Sequence, residues 1–294
     1  MAPTRIGLVG LSPNAISAYA STAHLPYLTH SPHYTITALC NSTIPSARAA
    51  IAAYALPEST AAYDSVAELS KDPNVDLVVV SVKVGLHAAL VAPALDAGKA
   101  VLCEWPLGVN AGEAAQLAAL AKQKGVKTYV GAQARFSPPV AALRQLLASG
   151  AIGKVLSTDV TATFGPAIDI WMKSADFYLD LKSGGNPLAI RFAHFVDAFC
   201  NTLGEFAAYD SVLKTNGKSV KVYDIAMGEM GAVAREPESK PYEIMTRTSP
   251  DEILLHGTLV GGAVAGLHFR TGEREVDGSS FRWTITGTGG IVQV

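Results

Sequence analysis

Two places in this sequence carry side chains that could take part in chemistry. An apolar, strand-like run ends at Glu104, and Trp105 and Pro106 follow directly. Farther along, His194 and Asp197 lie three residues apart on a predicted helix, so they share one face of it. Histidine titrates near neutral pH and can relay a proton. A His–Asp pair on a helix is also a common structural hydrogen bond, and the residues alone leave both interpretations open.

The elements that would position Glu104 begin at the N-terminus. The run Arg5–Leu11 predicts a short buried strand ending in a glycine turn, and the alanine-rich stretch after it is typical of a helix. Backbone amides at such a helix start can face a pyrophosphate, which favours a dinucleotide-binding opening. The glycine fingerprint is incomplete, with Gly10, Ser12 and Ala15 at its three positions. Taken alone, this incomplete fingerprint fits an ordinary strand-to-helix turn as well as it fits a dinucleotide-binding turn.

The second strand bears on the kind of dinucleotide. The run 34–39 predicts a β-strand, and the position where an acidic residue would bind the adenosine ribose hydroxyls holds Asn41, followed by Ser42. A carboxylate would repel a 2′-phosphate, so its absence, with Arg48 nearby, favours NADP over NAD. Arg48 also fits the description of a solvated helix residue.

Strands and helices then alternate at short spacing. The run Leu77–Val82 is almost continuously apolar, without alternating polar residues, which is typical of a parallel strand covered on both faces. The pattern predicts an α/β fold whose first half is a doubly wound parallel sheet. Because ligands bind beyond the carboxyl ends of such strands, one crevice is expected to gather the strand-end residues Gly10, Asn41, Ser81, Glu104 and Gly131.

The pattern changes after residue 132. We predict a dinucleotide-binding domain over residues 1–132 and an α+β domain with a large, mostly antiparallel sheet over 133–294, with Gln133 at the crossover. Strands are expected at 155–164, 207–213, 220–225, 253–259, 264–269 and 281–286, a helix at 188–203 and a polar loop at 235–242. An open sheet face is often closed by self-association, so a homodimer is expected.

Composition narrows the class of protein. The chain has 294 residues, 49% of them hydrophobic, and a net charge of −2, so it offers no basic field for direct nucleic-acid binding. It shows no apolar signal region and no 18-residue apolar run, so we expect a cytoplasmic protein without membrane segments. Cys40, Cys103 and Cys200 lack metal-ligand spacing, which predicts no metal site and suits a reducing compartment.

Short landmarks recur in a fixed order along the chain. They include His24–Pro26, the Ser81–His87 segment, the strand that ends at Glu104, the Arg135–Phe136 crossover, the Gly184–Gly185 turn, and His194 with Asp197. In order and spacing the chain resembles the glucose-fructose oxidoreductase/inositol dehydrogenase (Gfo/Idh/MocA) family over nearly its whole length. Within that family it is similar to the fungal branch that contains the galactose-pathway transcriptional co-repressor.

The resemblance implies a catalytic lysine where this chain has Trp105, and an aspartate where it has Ile190. Loss of one general acid–base group typically forfeits about 10²–10⁴ in rate. The resemblance also implies a cis Trp105–Pro106 peptide. Members of the family usually continue farther past the predicted strand 281–286 than this sequence, which stops at Val294. It places Tyr178 in a segment that folds over the nicotinamide.

Two main functions and a lesser one follow from these residues. The first is an NAD(P)-dependent oxidoreductase-like enzyme acting on a small carbonyl- or hydroxyl-bearing metabolite, by hydride transfer or by a non-redox isomerisation or cyclisation. The second is a non-catalytic, cofactor-sensing regulator with a protein partner, and the third is an inert scaffold relic. The predicted catalytic residues are His194, Tyr178 and Trp105, although each also has a purely structural interpretation. The predicted cofactor-binding residues are Gly10, Ser12, Asn41, Ser42, Ser81, His87, Glu104 and Gln133.

Overall fold

A computed structural model describes residues 2–13, 18–165, 168–272 and 274–294. The chain divides into two compact units, Met1–Gly131 and Ala132–Val294. No helix in the described part of the chain combines the length and the apolar character that crossing a lipid bilayer requires.

The first unit is built on a six-stranded parallel sheet. Its strands are β1 (Thr4–Val9), β2 (Tyr34–Cys40), β3 (Ala61–Tyr63), β4 (Leu77–Val80), β5 (Ala100–Glu104) and β6 (Thr128–Gly131). They are ordered β3-β2-β1-β4-β5-β6, and every neighbouring pair is parallel. This is the order of a doubly wound dinucleotide-binding fold. The predicted architecture of the first half is therefore confirmed.

Helices cover both faces of this sheet. They are α1 (Leu25–His30), α2 (Ile44–Ala53), α3 (Val66–Lys71), α4 (His87–Asp96) and α5 (Ala111–Lys124). Alternate residues of β1 point to opposite layers, because Ile6 and Leu8 pack in the core under α1 and α2 and Val9 packs in the core under α3 to α5. The predicted helix after Ser12 is described only from residue 18, as a π-helical turn at Ala20–His24 that runs into α1. Ala15, the third fingerprint position, lies outside the described residues.

The second unit has nine strands in two sheets, counted within the described residues. They are β7 (Val155–Thr163), β8 (Ile170–Met172), β9 (Phe206–Lys214), β10 (Ser219–Tyr223), β11 (Tyr242–Thr246), β12 (Glu252–Leu259), β13 (Val264–Arg270), β14 (Phe281–Gly287) and β15 (Ile291–Gln293). The large sheet is ordered β15-β14-β7-β13-β12-β9, and all of its pairs are antiparallel except β7 with β13. This confirms the expected mostly antiparallel sheet.

The strand predicted at 220–225 belongs to a separate sheet, which corrects the expectation of one broad sheet. This small sheet is ordered β11-β10-β8, with β10 antiparallel to β11 and parallel to β8. Val220 and Val222 of β10 pack with Leu179, in a core apart from that of the large sheet. Part of the loop predicted at 235–242 is helical, because α8 (Met230–Arg235) ends there and a 3₁₀ turn follows at Pro237–Ser239.

Helices α6 (Pro138–Ala148) and α7 (Ala193–Leu203) cover one face of the large sheet. Phe199 of α7 is fully buried against Trp283 of β14, with ring centroids 5.6 Å apart. The helix predicted at 188–203 is not uniform, since Leu188–Phe192 is a π-helical turn and regular α-helix begins at Ala193. Such turns inside helices are frequent at functional sites.

Candidate functional site

The carboxyl edge of the parallel sheet brings four predicted residues together. Gly10 follows β1, Asn41 follows β2, Ser81 follows β4, and Glu104 ends β5, and these strands are neighbours in the sheet. The Gly10 amide donates to the Cys40 carbonyl at 3.0 Å, and the Ser81 amide donates to the Val9 carbonyl at 3.0 Å. The strand ends are thus tied to one another.

Gly10 meets a requirement that no other residue type satisfies. Its φ is +96°, and a Cβ atom on it would lie 2.4 Å from the Ser81 carbonyl oxygen. An L-residue would be strained at this φ and would collide with the neighbouring backbone. The first turn therefore keeps the close backbone approach that a dinucleotide-binding turn needs, although its other glycines have been replaced.

Asn41 holds the turn after β1. Its side-chain amide donates to the Leu11 carbonyl at 2.8 Å and to the Ser46 carbonyl at 3.3 Å. Ser42 is exposed beside it, and Ser12 is half-buried in the turn itself. The position expected for a ribose-binding acid is thus occupied by a neutral side chain whose donors brace the backbone of the same edge.

A histidine–carboxylate pair that the sequence did not reveal lies at the end of β5. His24 Nε2 is 2.6 Å from Glu104 Oε1, and the side chains are only 19% and 13% exposed. The Tyr19 ring meets His24 edge-on at 5.5 Å between ring centroids, and burial, followed by the charge of Glu104, raises the pKa of the Tyr19 phenol. Gly131 leaves room for the carboxylate, since a Cβ there would lie 2.5 Å from Glu104 Oε2.

The Trp105–Pro106 peptide is cis, as the resemblance implied. His87 anchors the turn that this peptide forms, because its Nδ1 lies 2.8 Å from the Pro106 carbonyl oxygen and its Nε2 lies 3.0 Å from the Val82 carbonyl oxygen. The imidazole is 1% exposed. His87 was predicted to bind cofactor, and in the structure both of its ring nitrogens face main-chain carbonyls, one of them in the turn that carries Trp105.

In the second unit, Asp197 is engaged by the crossover segment. Arg135 Nε donates to Asp197 Oδ2 at 2.9 Å, and a second guanidinium nitrogen donates to the other carboxylate oxygen. The hydrogen bond to Asp197 raises the pKa of Arg135. This bidentate pair fixes the 3₁₀ turn Gln133–Phe136, in which Gln133 is exposed, against α7. His194, half-buried, lies in the first turn of the same helix.

Tyr178 lies in an aromatic cluster of the second unit. It belongs to the 3₁₀ segment Lys173–Leu179, and its ring stacks on Trp171 with centroids 5.5 Å apart. The Arg191 guanidinium carbon is 6.0 Å from the centroid of the Tyr178 ring. Burial raises the pKa of the Tyr178 phenol and the charge of Arg191 opposes that shift. The phenol therefore stays protonated at neutral pH and can donate a hydrogen bond or a proton.

No group of three or more His, Cys, Asp and Glu side chains is arranged for a metal ion within the described residues. Two of the residues that sequence reasoning left out are His24 and Arg191. His24 was visible as part of a landmark, but its partner is 80 positions away, and no local pattern could have paired them.

Comparison with known proteins identifies the class to which this fold belongs. Residues 4–132 match the NAD-binding Rossmann fold of the GFO_IDH_MocA oxidoreductase family, and residues 138–294 match the Gal80p C-terminal domain. The chain therefore belongs to the Gfo/Idh/MocA family and carries a Gal80p-like C-terminal domain.

Its relatives include a dehydrogenase and a regulator. The chain is 32% identical to dehydrogenase aclE of Aspergillus oryzae over 99% of its own length and 76% of that protein. It is 25% identical to the galactose/lactose metabolism regulatory protein GAL80 of Saccharomyces cerevisiae, over 90% of this chain and 59% of that protein. The crystal structure of a super-repressor mutant of Gal80p from S. cerevisiae superposes with a TM-score of 0.88, at 24% identity, over 99% of this chain and 74% of that one. At this identity the superposition shows the fold alone.

Proposed function

We propose that the chain is an NAD(P)-dependent enzyme of the dehydrogenase class, acting on a small carbonyl- or hydroxyl-bearing metabolite. Residues 1–132 would bind the dinucleotide, and residues 133–294 would supply substrate contacts and a homodimer surface. The observation that carries the proposal is the carboxyl edge of the parallel sheet, where Gly10 permits close backbone approach and His24 fixes Glu104. The relationship to a protein named as a dehydrogenase favours an enzyme.

The residues at this edge fit a nicotinamide dinucleotide. Gly10 and Ser12 would lie along the pyrophosphate and Asn41 and Ser42 along the adenosine ribose, with Ser81 and Glu104 farther toward the nicotinamide. Gln133, at the start of the second unit, is proposed as a further cofactor contact. When bound, this cofactor supplies or accepts a hydride. No carboxylate occupies position 41 to repel a 2′-phosphate, so NADP is favoured over NAD.

Trp105 stands where family enzymes carry a lysine, and its indole cannot titrate. We propose that Trp105 forms an aromatic wall and that His194 or Tyr178 transfers the proton. Burial raises the pKa of the Tyr178 phenol, so it carries its proton at neutral pH and can donate a hydrogen bond to the substrate. Asp197 is paired with Arg135, so it is not the group proposed to transfer the proton. Without hydride transfer, the same groups would support an isomerisation or a cyclisation.

A second function is favoured by a separate observation. Residues 138–294 match the C-terminal domain of Gal80p, and a relative of this chain is a metabolic regulatory protein. With the family lysine and aspartate replaced, the fold would then act as a cofactor-sensing regulator that binds a protein partner.

One set of measurements separates these functions. Mass spectrometry of the purified protein identifies any bound dinucleotide, and calorimetric titration with NADH and NADPH gives the preference. Consumption of NADPH is then followed with a panel of small carbonyl compounds. We expect tighter NADPH binding and turnover that falls at least about 100-fold in His194→Ala or Tyr178→Phe.

Tyr209→Phe, an exposed change on β9, is the matched control. If both active-site variants keep full turnover, the catalytic roles are wrong. Dinucleotide binding without any turnover would favour the regulator, and absence of binding would contradict both functions.

A further inference from the structure

A concave site lies wholly within the second unit and includes Tyr178, one of the proposed catalytic residues. It is a cleft at the ends of β7 and β13, beside the small sheet and the π-helical turn before α7. Its walls are largely aromatic and aliphatic, formed by Phe164, Trp171, Tyr178, Leu179, Pro187 and Met230.

One end of the cleft is closed by a buried ion pair. Arg247 and Asp251 are 6% and 3% exposed, and Arg247 Nη1 lies 3.3 Å from Asp251 Oδ2. Asp251 also accepts backbone hydrogen bonds from Asn216 at 2.8 Å and Gly217 at 2.7 Å, and Arg247 donates to the Ile168 carbonyl at 2.6 Å. The charge of Arg247 is thus compensated, and its side chain is held in place.

Arg191 is the other cation of the cleft, and its surroundings differ. Its guanidinium carbon lies 5.1 Å from the centroid of the Phe164 ring and 6.0 Å from that of Tyr178. Within the described residues, no carboxylate forms an ion pair with Arg191. Aromatic neighbours favour a guanidinium but do not neutralise it. A guanidinium also binds a planar carboxylate through two parallel hydrogen bonds.

We propose that this cleft binds a small aromatic or conjugated carboxylate. The ring of the ligand would lie among Phe164, Trp171 and Tyr178, and its carboxylate would pair with Arg191. The Tyr178 phenol, which is protonated at neutral pH, would donate a further hydrogen bond. The inference goes beyond the proposed dehydrogenase, because it assigns a ligand class to residues of the second unit and needs neither hydride transfer nor a bound dinucleotide.

Calorimetric titration without dinucleotide tests this inference on the full chain. The probes are 1-naphthoate and the uncharged 1-naphthalenemethanol, which share a ring system and differ in the carboxylate. We expect naphthoate to bind more tightly than the alcohol. Arg191→Gln should weaken naphthoate binding by about 10- to 100-fold, the usual value of hydrogen bonds to a charged group, and should change alcohol binding little. Trp171→Ala should weaken binding of both probes.

Arg144→Gln, an exposed arginine of α6, is the matched control and should leave both affinities unchanged. Thermal unfolding followed by circular dichroism verifies that each variant is folded. Equal affinity for the two probes, equal effects of the Arg191 and Arg144 variants, or no naphthoate binding at millimolar concentration would each overturn the proposal. None of these results bears on NADPH binding, so failure here is distinct from failure of the proposed dehydrogenase.

Discussion

The His24 imidazole lies 2.6 Å from the Glu104 carboxylate, although 80 positions separate the two residues in the chain. The contact joins the segment after β1 to the end of β5, two strands that flank β4 in the sheet. Glu104 directly precedes the cis Trp105–Pro106 peptide. The pair therefore fixes the backbone from which Trp105 projects.

A double-mutant cycle measures the strength of this pair. His24→Gln and Glu104→Gln should each lower the free energy of unfolding, and their coupling should be about 1 kcal/mol because both side chains are mostly buried. The exposed Glu68–Lys71 pair serves as the control, with an expected coupling of roughly 0.3 kcal/mol. Urea unfolding of the single and double variants gives both values. Equal coupling energies for the two pairs would show that the His24–Glu104 contact contributes no more to stability than an exposed ion pair.

Alanine substitutions at Gly10 and Gly98 distinguish the cost of a steric collision from the cost of backbone strain alone. Both have positive φ, but a Cβ on Gly10 would collide with the Ser81 carbonyl whereas a Cβ on Gly98 would meet nothing within 4 Å. Gly98→Ala should lower the free energy of unfolding by about 1 kcal/mol. Gly10→Ala should lower it by about 2–4 kcal/mol and should also weaken dinucleotide binding. Chemical unfolding checks the energies. Similar costs for the two variants would remove the argument for close approach at Gly10.

The buried Arg247–Asp251 pair should be a major contributor to the stability of the second unit. Asp251→Asn removes the ion-pair partner of the buried Arg247 and disturbs the amide bonds from Asn216 and Gly217. The expected loss is about 3–5 kcal/mol of unfolding free energy. Asp277→Asn, at an exposed pair with Arg282, is the control and should cost much less. Thermal or urea unfolding distinguishes the two, and a neutral Asp251 variant would contradict this role.

The first unit was largely predictable because parallel strands covered on both faces consist of nearly continuous apolar residues. β4 was predicted as Leu77–Val82 and observed as Leu77–Val80. The second unit was less predictable. β8 has only three residues, and β11 is mostly exposed, so neither shows a usable alternation.

Some residues of the candidate site could be predicted from the sequence and others could not. Gly10, Asn41, Ser81 and Glu104 could be placed from strand order alone, since each follows or ends a parallel strand. His24 could not, because its contact with Glu104 arises only when distant segments fold together. The π-helical turn at Leu188–Phe192 likewise has no sequence signature in a run that resembles ordinary helix.

The Arg5–Asp76 pair should make the stability of the first unit depend on pH in acid. Hydrogen bonding to Arg5 lowers the pKa of Asp76 from 3.8 to about 2. The contribution of the pair to stability is therefore complete above about pH 5 and is lost as the pH falls through the folded-state pKa of about 2. The effect should be small, since both side chains are about 40% exposed. Asp76→Asn should flatten the acid limb of the urea-midpoint profile, and an unchanged slope would contradict the pairing.

The three thiols should be slow to react in the folded protein. Burial raises the pKa of Cys103 to about 12 and that of Cys40 and Cys200 to about 11. Because the thiolate is the reactive form, only about a thousandth of a thiol with a pKa of 11 is reactive at pH 8, against about a quarter of a free cysteine. Ellman's reagent at pH 8 should therefore modify the native protein at least about 100-fold more slowly than the protein in guanidinium chloride. Cys200, which is only half-buried, should react before the buried Cys103. Rapid modification of Cys103 in the native protein would show that the end of β5 opens far more often than its packing implies.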